Sequence, residues 1–251
     1  MTAECPAGLT RKGAGVASKT RRRVSISIAA FGACLLLVWV ALESGVLVRW
    51  MAEPSDWVPE PMAELEMTCT QFSDPRPWSL CVTRDPTSSS QDLLVHFHGR
   101  RGTAQWWNDK TYYTAELYEH WKAADVQPPT VLSISFGPLW VLTDETADAF
   151  GQSVLEQARA HAESLAGHGF ERTRLVGESM GGYNALLAAV DPDTPFDRVA
   201  ALCPPLTTTS PFGTGMFSRF GESSAREGFM LLAFSRAFFD DDAHWRATDP
   251  V

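Results

Sequence analysis

The sequence predicts an α/β fold: a mostly parallel sheet with helices on both faces, preceded by one N-terminal transmembrane helix. Three observations predict it. Short apolar runs alternate with helical stretches along residues 65–251, a charge-free apolar stretch fills residues 24–42, and a serine stands between glycines where a strand pattern changes to a helix pattern. Strand–helix units with short connections pack as a parallel sheet covered by helices.

Composition limits the classes of protein to consider. Of the 251 residues, 45% are hydrophobic and 20% are charged, which allows a buried core and excludes wholesale disorder. The net charge is −9, yet residues 1–23 are basic, so the remainder is strongly acidic. An acidic body excludes broad nucleic-acid binding. The five cysteines contain no CxxC pair, which argues against a zinc ribbon or a thioredoxin-type site. No metal and no cofactor is expected.

The N-terminal region is typical of a membrane-targeting segment. Residues 24–42 carry no charge and span roughly 28 Å as a helix, close to the thickness of the bilayer core. The basic tail, residues 1–23, predicts that this end stays in the cytoplasm, which places the body outside as a single-pass protein. A cleaved signal peptide, and hence secretion, is the alternative, and a buried soluble helix is a third. Residues 43–64 form a juxtamembrane linker, whose Pro- and acid-rich part at 53–64 suggests a stiff spacer.

The elements of the body follow in order from their hydrophobic patterns. Alternation around Cys69 and Cys81, with a DPRP turn between them, predicts an antiparallel hairpin whose cysteines would be disulfide-bonded in an oxidising compartment. The remaining predicted elements are strands at 93–97, 130–136, 173–177 and 198–203, helices at 111–124, 145–166, 180–190 and 226–239, and a loop or lid at 204–225. Cys203 is expected to be a small buried residue.

The strongest chemical signal is the run from Gly177 to Gly182, GESMGG, which fits G-x-S-x-G. This pattern places a serine on a tight strand-to-helix turn, with its oxygen at a helix N-terminus. Ser179 is therefore the candidate nucleophile, and the backbone N–H of Met180 is one candidate oxyanion donor. The second donor should come from the loop after an earlier strand, where the backbone of Gly99 and Arg100 lies.

Other side chains near these motifs have two interpretations each. His96 alternates into its strand and is expected to be a packed strand histidine. Arg100 and Arg101 are either anion-binding groups or solvated charges. Three tryptophans on the predicted site face either line an apolar acyl pocket or serve as packing residues: Trp106, Trp107 and Trp140.

The order of five segments resembles α/β-hydrolases of the putative-esterase (esterase D-like) group. The segments are LLVHFHGRRG, TVLSISFGPLW, RLVGESMGGYNALLAAV, FDRVAALCPPL and DDDAHWRATDP. The resemblance covers residues 65–251 and implies a serine carboxylic-ester hydrolase that works through an acyl-enzyme on Ser179. It also implies a small-molecule, glycan or lipid ester as substrate, and it leaves an acyltransferase of the same fold open. It does not indicate the oligomeric state.

The catalytic acid and base are where the pattern departs from the family. A triad on this fold runs Ser, then Asp or Glu, then His, and His244 is the only histidine after Ser179. Its acid would be one of four aspartates: Asp240, Asp241, Asp242 or Asp249. Two or three residues between acid and base leave little room for a triad, and Trp245 to Pro250 resemble the helix that precedes the family's acid-bearing strand.

The sequence is therefore expected to stop before the family's C-terminal strands and to be at best weakly active. A catalytically dead pseudohydrolase or a truncated gene product are the alternatives to an active esterase. The histidines before the serine fall on predicted helices and are expected at the surface: His120, His161 and His168.

Overall fold

The computed structural model describes residues 32–34, 36–37, 40, 46–206, 212 and 233–248. The chain divides into two compact units, one up to Leu47 and one from Val48 onward. In the first unit the described residues are helical, and residues 32–34, 36, 37, 40 and 46 are exposed. The basic tail and most of the predicted anchor lie outside the described residues.

No helix among the described residues is both long enough and apolar enough to cross a membrane.

The second unit is built on a six-stranded sheet in the order β1-β2-β4-β3-β5-β6. The strands are Glu66–Phe72 (β1), Trp78–Arg84 (β2), Asp92–Phe97 (β3), Thr130–Ser135 (β4), Arg172–Glu178 (β5) and Arg198–Leu202 (β6). β1, β2 and β4 pair antiparallel, while β4, β3, β5 and β6 run parallel. The predicted mostly parallel sheet and its opening hairpin are therefore confirmed.

Helices form at the predicted 111–124 and 180–190, and the predicted stretch at 145–166 is divided in three; of the predicted 226–239 the structure describes residues 233–239. Two further helices, at 46–51 in the predicted linker and at 242–248, are not among the elements predicted from the hydrophobic patterns. The helices are Val46–Met51 (α1), Tyr113–Ala123 (α2), Asp144–Ala149 (α3), Leu155–Ala166 (α4), Met180–Val190 (α5), residues 233–238 (α6) and Asp242–Thr248 (α7). A short 3₁₀ helix spans Ala104–Trp107, and a π-helical segment, Phe150–Val154, separates α3 from α4.

Helices cover both faces of the sheet, as predicted. Successive residues of a strand point to opposite faces. In β3, Leu94 packs in the cluster that contains Tyr118 of α2, whereas Leu93 lines a cavity with Leu155 of α4 and Leu187 of α5. Apolar side chains therefore lie on both faces of β3, which is why Leu93, Leu94 and Val95 follow one another in this central strand.

The hairpin carries a disulfide. Cys69 and Cys81 are direct partners in the β1–β2 register, with their Cα atoms 4.1 Å apart, and their sulfurs are bonded. Directly opposed residues of an antiparallel pair are close enough for this bond. The predicted disulfide is present.

The prediction for Cys203 is wrong. The residue is exposed and has a positive φ of 47°, because the chain turns away from the sheet directly after β6. β6 has β5 as its only partner in the described part of the chain, and its side chains are alternately exposed and half-buried. The predicted lid at 204–225 lies outside the described residues except for 204–206 and 212.

Candidate functional site

Ser179 occupies a strained turn between β5 and α5. Its backbone has φ 51° and ψ −116°, a conformation that non-glycine residues rarely adopt, and its side chain is exposed. Two hydrogen bonds hold it: its N–H donates to the Leu202 carbonyl at 2.8 Å, and its carbonyl accepts from the Tyr183 N–H at 3.0 Å. The serine that the sequence singled out therefore projects from the carboxyl edge of the parallel strands.

The glycines around Ser179 are required by backbone crowding. A Cβ on Gly177 would fall on the Gly181 carbonyl, and one on Gly181 would fall on the Phe97 carbonyl, both far inside the 3.0 Å that real Cβ atoms keep. A Cβ on Gly182 would lie 2.9 Å from the Leu202 carbonyl oxygen. The close approach of β5, α5 and the end of β3 explains why the motif has glycine at these positions.

Met180 is the first residue of α5. Its N–H stands in the first turn of the helix, where backbone donors have no intrahelical acceptor. Its side chain is 1% exposed, and its sulfur accepts a hydrogen bond from the Trp140 N–H at 3.3 Å. The side chain is thus anchored inward, while the N–H belongs to the positive end of the helix.

The loop after β3 meets the serine turn through Glu178. The Gly99 N–H donates to Glu178 Oε1 at 3.2 Å, so this donor is engaged within the protein. The Gly99 carbonyl accepts from His98 Nδ1 at 2.7 Å and from the Gly102 N–H at 3.1 Å. Since a trans peptide points its C=O and N–H in opposite directions, the Arg100 N–H faces away from the His98 ring. Of the two predicted loop donors, the Gly99 N–H is therefore already engaged by Glu178.

Glu178 is a feature that sequence reasoning missed. Its carboxyl is largely buried, and this burial raises its pKa, while a hydrogen bond from Tyr112 and the Gly99 N–H act in the opposite direction. Burial, together with the Glu178 carboxylate, raises the pKa of both Tyr112 and Tyr113. The sequence did offer one signal for it: an acidic residue at the end of a buried strand needs a partner, because burying an unpaired carboxylate is costly.

His98 is a second missed residue. Its Nε2 accepts from Ser135 Oγ at 2.6 Å and from Trp140 Nε1 at 3.4 Å, while Nδ1 donates to Gly99. Burial lowers the pKa of His98 to about 4, so the ring is neutral at pH 7. It therefore fixes the Gly99 carbonyl as a neutral donor. His96 is fully buried against Ser133, as predicted, and burial lowers its pKa to about 3.

His244 lies on α7, and its ring faces two carboxylates. Nε2 is 3.3 Å from Asp144 Oδ1, and Nδ1 is 3.9 Å from Asp240 Oδ2. Asp241 instead accepts the His244 backbone N–H at 2.9 Å, so it caps the helix and does not orient the ring. The Asp144–His244 pair joins residues a hundred positions apart, which no local pattern could reveal.

Among the residues that the structure describes, Ser179 is not joined to a base. Within residues 46–206 and 233–248, no hydrogen bond links the Ser179 hydroxyl to His244 or to any other side chain. Asp249 lies outside the described residues.

Two of the three tryptophans are packing residues, and the third is half-buried against other aromatic rings. Trp107 is fully buried and donates to Tyr118, and Trp140 is 3% exposed against Phe97, so both are packing residues. Trp106 is half-buried and contacts Trp57 with ring centroids 5.2 Å apart.

In the described ranges, no three His, Cys, Asp or Glu side chains are placed to hold a metal ion.

Comparisons with known proteins agree with this fold. Residues 143–251 match a family model described as "Putative esterase". A carboxyl esterase 2 from the mycorrhizal fungus Tuber melanosporum superposes with a TM-score of 0.51 at 13% identity, covering 80% of this chain and 65% of that one. A ferulic acid esterase superposes with a TM-score of 0.50 at 10% identity, covering 71% and 69%. The chain thus spans about two thirds of the length of these esterases. No curated protein matches it.

Proposed function

We propose that the chain, which has the fold of α/β-hydrolases and whose residues 143–251 match a putative-esterase family model, is a serine carboxylic-ester hydrolase acting through Ser179. The observation that carries the proposal is the backbone of Ser179, which holds the residue exposed at φ 51° among glycines that admit no Cβ. Such strain persists where the surrounding structure imposes it, and it clusters at reactive positions.

In the proposed reaction Ser179 Oγ attacks the ester carbonyl carbon. The carbonyl oxygen becomes negative and is stabilised by the Met180 and Arg100 N–H groups, each donor of this kind contributing about 2.7–4 kcal/mol to transition-state stabilisation. The C–O bond to the alcohol then breaks, the alcohol leaves with a proton, and water hydrolyses the acyl-enzyme. An acyl acceptor other than water would make the same site an acyltransferase.

The general base decides how fast this reaction runs. His244 is the candidate base, and Asp144 is the carboxylate beside its ring. Since no hydrogen bond in the described part of the chain joins His244 to Ser179, we propose that turnover is slow. Oxyanion donors and binding alone support about 10³–10⁴-fold acceleration over water. The same observation favours a second candidate function, a pseudohydrolase that binds esters without turning them over.

Turnover of p-nitrophenyl esters of increasing acyl length tests the proposal. We expect slow release of p-nitrophenol that disappears in Ser179→Ala and persists in Ser164→Ala, which changes an exposed serine on α4. Equal rates in wild type and Ser179→Ala would contradict the hydrolase. Saturable ester binding without Ser179-dependent release would support the pseudohydrolase.

We also propose that residues 24–42 anchor the protein in a membrane, with the body on the extracytoplasmic side. Support comes from the basic residues before the apolar stretch and from the Cys69–Cys81 disulfide, a bond typical of oxidising compartments. Protease added outside cells stripped of their outer layers should digest the chain beyond residue 50. Complete protection of the body would contradict this orientation.

A further inference from the structure

The segment at residues 50–57, here called the strap, runs along the loop at residues 98–102, here called the Gly99 loop. The Ser55 N–H donates to the Arg101 carbonyl at 3.1 Å. The Arg101 guanidinium donates in return to two strap carbonyls, those of Glu53 at 3.1 Å and Pro54 at 3.2 Å. Composition suggested a spacer here, but this segment packs against the body.

Arg101 is itself held in an unfavourable backbone conformation. Its φ is +67°, in the left-handed region, where a non-glycine residue is strained. Its N–H donates to the Pro138 carbonyl at 2.6 Å, on the loop after β4, and its carbonyl is the acceptor for Ser55. The strap and the β4 loop therefore hold this residue from two sides.

Further contacts fix the strap at both ends. Near its start, the Arg100 guanidinium lies over the Trp50 ring at 5.6 Å and donates to the carbonyl of Met51, which is 2% exposed. At its end, Trp57 contacts the rings of Trp106 at 5.2 Å and Tyr112 at 5.7 Å. Tyr112 in turn reaches Glu178, the residue before Ser179.

We propose that the strap positions the oxyanion loop, with Arg101 as the positioning residue that fixes the neighbouring Arg100 peptide. The Gly99–Arg100 peptide is held on one side by His98, through the Gly99 carbonyl. Arg101 holds the next peptide along: its φ and the bond from its N–H to Pro138 fix the Arg100–Arg101 peptide, which limits how far the Arg100 backbone between the two peptides can turn. The catalytic consequence rests on the proposed function, whereas the structural claim does not.

Amide hydrogen exchange in the full chain tests the structural claim without requiring activity. Arg101→Asn is the test variant, because asparagine tolerates the left-handed region but cannot reach the Glu53 and Pro54 carbonyls. Arg101→Lys restores a long donor, and Ser55→Ala is the matched control, since it keeps the N–H that bonds Arg101. We expect exchange in peptides covering residues 99–102 to rise at least tenfold in Arg101→Asn, less in Arg101→Lys and not in Ser55→Ala.

Two exchange results would overturn the proposal. One is unchanged exchange at residues 99–102 in Arg101→Asn. The other is an equal rise in peptides from α4, which would mark general destabilisation instead of a released loop.

Ester turnover adds a kinetic readout. Donors to the oxyanion act in the transition state, so Arg101→Asn should lower kcat with little change in KM. A raised KM with unchanged kcat would contradict a positioning role. If wild type shows no Ser179-dependent turnover, the proposed function fails, while the exchange result still decides whether the strap holds the loop.

Discussion

Gly181→Ala tests the geometry of the serine turn most sharply. An added Cβ would fall on the Phe97 carbonyl and stand 2.7 Å from the His98 carbonyl oxygen, whereas ordinary van der Waals contact begins near 3.4 Å. Both neighbours are backbone atoms at the end of β3, so relief requires a shift of the strand or of α5. Overpacking of this kind typically costs about 1–3 kcal/mol and occasionally more. The backbone clash places Gly181→Ala at the upper end, about 3 kcal/mol.

The assay is urea unfolding followed by tryptophan fluorescence and circular dichroism. Gly151→Ala is the matched control, because Gly151 is exposed and helical, and a Cβ added there would meet no atom within 4 Å. There we expect no loss, and a gain of up to about 1 kcal/mol from reduced chain entropy in the unfolded state. A Gly181→Ala protein within about 0.5 kcal/mol of wild type would refute the close approach of α5 to β3.

Three further predictions concern the disulfide and the buried titratable groups. Replacing Cys69 and Cys81 by serine should lower the free energy of unfolding by about 3 kcal/mol. In the denatured wild type, reductant should expose two more thiols, and an unchanged thiol count would contradict the bond. Because burial lowers the His98 pKa to about 4, the free energy of unfolding should fall by about 3 kcal/mol as pH drops from 6.5 to 4. This fall should be shallower in His98→Gln and the same as wild type in the control His120→Gln. A His98→Gln profile parallel to wild type would count against a neutral buried ring. Because burial raises the Glu178 pKa, stability should fall as pH rises from the ordinary carboxyl range through the raised value, and Glu178→Gln should remove that slope; an identical slope would assign it to other groups.

The features that the sequence predicts well are local. The turn around Ser179 needs only a buried strand, two flanking glycines and an Ala/Leu-rich helix, all within about twenty consecutive residues. The hairpin disulfide follows from alternation in two neighbouring strands. In each case the residues that form the motif are close in sequence, so a pattern of residue types carries the information, even though the backbone that crowds the glycines comes partly from Phe97 and Leu202.

The features that the sequence does not predict depend on distant segments. Glu178 is buried by Tyr112 and Gly99, which the chain brings to it from more than sixty residues away. Asp144 meets His244 across a hundred residues, and Arg101 is held by a segment that composition describes only as Pro-rich and acidic. Periodicity reports which face of an element is apolar, and it carries no information on such pairings.

The most direct test of the central claim is covalent labelling with a fluorophosphonate, followed by peptide mass spectrometry. We predict one adduct, on Ser179, that forms slowly in the folded chain and is lost after heat denaturation and in Ser179→Ala. Labelling of Ser164→Ala should match wild type. No adduct on the folded protein, or an adduct on another residue with Ser179 unmodified, would contradict the assignment of Ser179 as the nucleophile.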